Sequence, residues 1–233
     1  MKAYEPPKVV EWSYCGECGV QHWAKHFPLA REGKEQSPID ISDVLSDQNL
    51  PQLNLNYQPI PFHATHTGNT ISMAISNHQA ITFGKIDYVL QEFHFHAPSD
   101  HTVNQESFDL EAHFVHKNAN GNLLVLGVFF RVGEASNQAL KHLFDHIPLA
   151  PQEIKKDESM FVDINQLFPE NKDYYSYQGS LTVPPCTEGV SWVVFRDVLS
   201  MSQDTLNQYK QAIPFNSNRP IQPLNGRTIF NKG

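Results

Sequence analysis

The sequence predicts a mainly β (α+β) protein: a single domain, residues 1–233, on a large, twisted, mostly antiparallel central sheet with short peripheral helices and long coil at both ends. Three observations lead there. Short runs rich in β-branched and aromatic residues recur through the middle of the chain and are parted by Gly, Pro and Asn. Helical periodicity is confined to two stretches. No internal repeat or low-complexity tract divides the 233 residues, so one core is the economical arrangement.

The strand candidates in chain order are NTISMAIS (69–76), AITFG (80–84), DYVLQEFHFH (87–96), FDLEAHFVHK (108–117), LLVLGVFFRVG (123–133) and VSWVVFRDV (190–198). The helix candidates are Glu134 to Ile147, and Ser202 to Ile213 with Ser202 as N-cap and Pro214 beyond its end. The ends, Met1 to about Ile39 and Pro214 to Gly233, are rich in Pro, Gly and Asn and read as coil laid over the sheet; residues 1–11 read as a loose segment.

Lys plus Arg (17) against Asp plus Glu (25) gives a net charge of -8, which repels nucleic-acid phosphates and anionic lipid. No apolar run is long enough to span a bilayer, so membrane insertion is not expected, and the first residues show no export signal. A cytoplasmic location is the expectation; a removed signal would make it periplasmic or secreted. Cys15 and Cys18 form a C-x-x-C that reads equally as a redox pair, half a metal site or two plain thiols. No second C-x-x-C follows, so a four-cysteine zinc site is excluded.

The chemical signal lies in EFHFHAPSDHT, Glu92 to Thr102. Residues i and i+2 of a strand face one side about 7 Å apart, so His94 and His96 can lean toward one ion while Phe93 and Phe95 face a core. LEAHFVH has the same alternation, with Glu111 and His113 on one face. Set antiparallel beside the first strand, it supplies His113 as a third imidazole. Three neutral imidazoles leave Zn²⁺ its full charge and one open position, where bound water has a pKa near about 7.

QSPIDI, FHFHAPSDHTV, EAHFVH and GSLTVPPCTEGVSW, in this order along the chain, resemble the α-class carbonic anhydrases, and the similarity runs from Trp12 to about Phe230. The resemblance implies that His94, His96 and His113 bind Zn²⁺, and that the activated water hydrates carbon dioxide to bicarbonate. It implies that Thr182 orients the attacking oxygen, with Asp100 as its acceptor where relatives carry a glutamate. Glu111 matches the carboxylate behind the third ligand. Glu92 stands where a glutamine is usual behind the first, and Asn218 is expected to contribute its backbone. Val115, Val125, Leu181, Val190 and Trp192 match an apolar substrate wall, with Val183 where threonine is common. Tyr14, Thr67 and Ser72 match the polar wall.

Asn69 occupies the position of the histidine that shuttles protons in fast relatives, and a neutral amide cannot carry a proton near neutral pH. His63 and His66 are the alternatives to it, and slow proton transfer is the expectation. Arg219 and Arg227 follow the family's C-terminal pattern, and Ser37-Pro38 and Pro184-Pro185 match cis peptide sites. Exported relatives join a cysteine at the position of Ala30 to one at Cys186; that partner is missing here, which leaves Cys186 free or paired with Cys15 or Cys18. A monomer or homodimer is expected. The competing reading is a non-catalytic zinc-binding module of the same fold, with ester hydrolysis a side activity of the site.

Overall fold

The computed structural model describes residues 11–232, so the loose segment expected over 1–11 lies, apart from Glu11, outside the described residues. Nine longer strands carry the fold: β1 (Ile60–His66), β2 (Ile71–Ala74), β3 (Ala80–Phe83), β4 (Ile86–His96), β5 (Leu110–Asn118), β6 (Leu123–Val132), β7 (Ile154–Val162), β8 (Tyr174–Ser180) and β9 (Glu188–Phe195). They lie in one 13-stranded sheet, eight of them in the order β7-β1-β2-β4-β5-β6-β9-β8, extended beyond β8 by Phe230–Lys232 and Leu45–Ser46, while β3 pairs with β4 off this path. Most pairings are antiparallel, while β6 pairs with β9 in parallel. The predicted mainly β class with few short helices is what the chain adopts.

β4 and β5 run antiparallel at the centre of this sheet, with His94 opposite His113 and His96 opposite Glu111. The same register sets Phe93 against Phe114 and Phe95 against Ala112. Phe93 and Phe114 stack with centroids 5.0 Å apart, in a core that also holds Leu90, Leu126, Phe130, Leu140 and Tyr209. Burying a phenylalanine stabilises the fold by about 1.5–3 kcal/mol, so the Phe face anchors the strand that presents the histidines. Because strand side chains alternate, slipping the pair by one residue would turn imidazoles into the core.

A register shift between Leu90 and Glu92 marks a bulge at Gln91. Tyr88 and Leu90 face the main core from even positions, whereas past the bulge Phe93 and Phe95 face it from odd ones. An inserted residue flips the alternation in this way, and here it puts Glu92, His94 and His96 together on the other face.

Two helices match expectation in part. The helix expected over Glu134 to Ile147 is shortened to α2 (Gln138–Phe144), because the Asn137 side chain accepts from Leu140 N–H and starts it there. α3 (Gln203–Ala212) begins at Ser202, whose hydroxyl accepts from Thr205 N–H as an N-cap. The N-terminal region is not all coil: α1 (Val20–His26) and the helical turn Leu29–Glu32 lie within it. α1 forms because Trp23 is drawn into a third apolar cluster with Tyr14 and Cys186, a tertiary effect that local Gly content hides. The strands β1, β7 and β8 also lay outside the sequence reading. Among the described residues, no helix is long and apolar enough to cross a membrane. Ser37-Pro38, Pro184-Pro185 and also Ala97-Pro98 are cis.

Candidate metal centre

β4 and β5 bring His94, His96 and His113 together, with candidate ligand atoms all within 4.8 Å of one another. Ring centroids lie 4.9 Å apart for His94 and His96, 5.4 Å for His94 and His113, and 4.4 Å for His96 and His113. Each ring is held by one nitrogen. His94 Nδ1 donates to Glu92 at 2.8 Å, His96 Nδ1 donates to the Ser217 carbonyl at 2.6 Å, and His113 Nε2 donates to Glu111 Oε1 at 2.8 Å. These bonds leave His94 Nε2, His96 Nε2 and His113 Nδ1 as the acceptor atoms, the tautomers a metal needs. His96 Nε2 is buried and has no hydrogen-bond partner, an orphan that a metal bond would satisfy. Burial, then His113 and His94 beside it, push the His96 pKa well down, so its imidazole is neutral. The donor set therefore fits Zn²⁺, with three nitrogens and an open fourth side.

The carbonyl behind His96 corrects an expectation: it belongs to Ser217, one residue before Asn218. Ser217 N–H donates to the Ala97 carbonyl, and Ser217 Oγ accepts from Ala97 N–H. This two-way pairing fixes Ser217 beside His96 and leaves Asn218 half-buried one step along.

Behind His113 stands a chain that sequence reasoning did not find. Glu111 also accepts from His101, from its backbone N–H at 2.9 Å and from its Nδ1 at 2.8 Å. His101 Nε2 lies 2.7 Å from the Tyr177 hydroxyl, which lies 2.8 Å from Ser37 Oγ. Burial raises the Glu111 carboxyl, but His101 and His113 outweigh it and hold the pKa well below the usual range. His101, Glu111 and His113 also cluster closely enough to suggest a second metal site, but these hydrogen bonds already occupy Glu111. Behind His94 the arrangement is more open. Glu92 is 32% exposed in its side chain and accepts from Ser72 Oγ at 2.9 Å.

Asp100 is fully buried. Its Oδ1 accepts the Arg219 N–H at 2.7 Å, while Oδ2 turns toward the imidazoles, 3.5 Å from His96 Nδ1. Burial pushes this carboxyl up, while His113, the Thr182 hydroxyl and the Arg219 N–H pull against it. Thr182 thus adjoins Asp100 without a short hydrogen bond, and Asp100 Oδ2 has no close partner.

A cavity of about 360 Å³ opens over the histidines, lined by Trp12, Tyr14, Thr67, Asn69, Ser72, Glu92 and Val183 among others. Tyr14 reaches His96 Nδ1 at 3.3 Å, and Asn69 Nδ2 donates to the Trp12 carbonyl at 3.1 Å. On the other side, Val125, Val190 and Trp192 form one apolar cluster, with Val115 and Leu181 packed against it. The Trp192 ring stands 4.9 Å from that of His113, so this cluster borders the metal position. Val183 packs instead with Tyr14 and Cys186.

Neither alternative histidine stands ready in the cavity. His66 is buried, with Nε2 bonded to the Ala212 carbonyl at 2.9 Å and Nδ1 accepting from Gly68 N–H at 3.0 Å. His63 pairs across strands with Lys156 and is not among the cavity-lining residues. Arg219 donates to Gln36 and to the Ser37 carbonyl, and Arg227 to the Gln36 and Gln178 carbonyls. Both arginines clamp loops. All three cysteines are free, and Ala30 packs in the same apolar cluster as Cys186.

Fold and site together define a mainly β protein whose sheet centre holds a three-histidine metal site of the open, catalytic kind. Residues 18–233 match the model of the eukaryotic-type carbonic anhydrase family. The chain is 38% identical to a carbonic anhydrase of Pectobacterium atrosepticum over 224 residues, covering 95% of this chain and 91% of that one. It is 37% identical, with a TM-score of 0.88, to the α-carbonic anhydrase of Thermovibrio ammonificans solved with the inhibitor sulfanilamide, covering 96% and 100% of the two chains. A hyperthermostable carbonic anhydrase from a hydrothermal vent chimney superposes with a TM-score of 0.90 at 36% identity, covering 96% of this chain and 100% of that one. The chain belongs to the α-class carbonic anhydrase family, and it carries the histidine triad of that family's zinc site.

Proposed function

We propose that the protein catalyses the reversible hydration of carbon dioxide to bicarbonate, with proton transfer to solvent as its slow step. One observation carries this reading: three imidazoles at the centre of the sheet each present a free nitrogen to one point, beside an apolar wall on one side and a solvent-facing cavity on the other. Zinc, when bound, supplies a Lewis acid that makes a strong oxygen nucleophile from water near neutral pH.

The chain's residues do the rest. Glu92, the Ser217 carbonyl and Glu111 fix which nitrogen of each ring faces the metal. Asp100, held by the Arg219 N–H, accepts the Thr182 proton, so that the Thr182 oxygen accepts in turn from the nucleophile and orients it. An aspartate reaches one methylene less far than a glutamate, which fits an Asp100 Oδ2 that has no hydrogen-bond partner. Carbon dioxide is uncharged and apolar, and the cluster around Val115, Val125, Leu181, Val190 and Trp192 gives it a place from which water is excluded.

The released proton leaves along the polar side, where Asn69 offers an amide and ties it to the Trp12 carbonyl. Neither His63 nor His66 fills that role, for the reasons of position given above. Stopped-flow hydration with rising imidazole buffer tests this directly. Turnover is expected to climb with imidazole in the native protein, and Asn69→His to be faster at low buffer. A turnover that ignores buffer concentration in both proteins would overturn the slow-proton reading and leave the hydration reading intact.

A further inference from the structure

The C-x-x-C of the N-terminal region has no part in the metal chemistry, and its placement gives it one of its own. Residues Gly16–Cys18 form a single turn of 3₁₀-helix, with Cys15 at its N-cap. Cys15 and Cys18 thus stand three residues apart at the two ends of one turn. The ends of a four-residue turn are under about 7 Å apart at Cα, which overlaps the span a disulfide bridges. Gly16 has φ +69°, a conformation that favours glycine, so the residue after Cys15 is suited to so tight a closure. Cys15 and Cys18 are both exposed free thiols, whereas Cys186 is buried.

We infer that Cys15 and Cys18 form a redox-active dithiol that closes reversibly to an intramolecular disulfide by exchange with small disulfides. One cysteine thiolate attacks a sulfur of the small disulfide, breaking its S–S bond, releasing one small thiolate and leaving a mixed disulfide on the protein. The second cysteine thiolate then attacks the protein sulfur of that mixed bond and releases the other small thiolate. The protein loses two electrons and its two thiol protons; the small disulfide gains both and ends as two thiols.

The turn adjoins the cavity through its own chain. Ser13 N–H donates to the Cys18 carbonyl, Trp23 Nε1 donates to the Ser13 carbonyl, and Trp12 and Tyr14 line the cavity. Closing the disulfide therefore locks the segment that carries these two cavity residues. The Trp12, Tyr14 and Trp23 rings pack within 5.4–5.7 Å of each other, which makes tryptophan emission a reporter of that segment.

The test incubates the native protein with oxidised glutathione, then measures intact mass, free thiols and a peptide map. The expected result is the loss of two hydrogens without a retained glutathione, one remaining free thiol at Cys186, a Cys15–Cys18 link, and full reversal by dithiothreitol. Cys15→Ser and Cys18→Ser should each stop at the stable glutathione adduct. Native protein carrying two glutathiones, protein left unreacted under conditions that modify Cys18→Ser, or a link to Cys186 would each overturn the proposal.

Discussion

The two ends of the histidine triad are supported differently. His113 leans on Glu111, which is fixed by His101, Tyr177 and Ser37, all of them buried. His94 leans on Glu92, whose side chain is 32% exposed and whose further partner is Ser72. Both supports are carboxylates and both bonds to the ring are 2.8 Å long. What differs is what happens when one is removed: on the buried side the groups left without a partner are shut away from bulk solvent. The buried end sets the geometry, and the open end is free to tune the charge near the metal.

The largest break in that contrast is Glu111→Ala. It strands the His101 and His113 N–H groups in the interior, at about 1–3 kcal/mol for each unsatisfied group. Zinc affinity, read by competition with a chelator, should fall toward the upper end of the about 10–100-fold range of such partners. An effect no larger than that of Glu92→Ala would remove the distinction.

Acid unfolding of the metal-free protein sharpens the same point. The folded pKa of Glu111 lies well below its ordinary value, so the unfolded chain takes up a proton first as pH falls. Its contribution is present above the unfolded value of about 4.3 and is lost as pH drops toward the lower folded one. Glu92 is also held below its ordinary range, since His94 and Ser72 outweigh its burial, so its sign is the same and its effect smaller. Denaturant midpoints followed down through about pH 4 should decline less steeply for Glu111→Gln than for Glu92→Gln.

At the open end, Glu92→Gln keeps a side chain of nearly the same shape and removes the charge. The pH midpoint of hydration should move down, with zinc affinity changed by less than about tenfold. An unmoved midpoint would show that Glu92 does not tune the site. The smallest effect belongs to Ser72→Ala, which deletes one hydrogen bond beside solvent and should cost no more than about 1 kcal/mol in a urea titration.

The same division governs what the sequence could reveal. His94, His96, His113 and Glu111 were legible because strand alternation writes them two residues apart, on two strands joined by one loop. His101, Tyr177, Ser37 and Ser217 left no such mark, since their contacts join residues 76, 140 and 121 positions apart. The resemblance points to the backbone of Asn218, yet it is the pairing of Ser217 with Ala97 that places a carbonyl behind His96. The strands of the sheet centre were legible as apolar runs. β1 and β7 were not, because IPFHATH and IKKDESMFV carry polar residues and a proline that edge-side strands tolerate.

The central claim is that the histidine triad holds a zinc ion that hydrates carbon dioxide. Zinc content and stopped-flow hydration, measured together on the native protein and on His96→Ala, test it most directly. The native protein should carry one zinc per chain and hydrate carbon dioxide, and His96→Ala should lose both. A native protein that holds zinc at the triad and hydrates carbon dioxide no faster than buffer alone would contradict it.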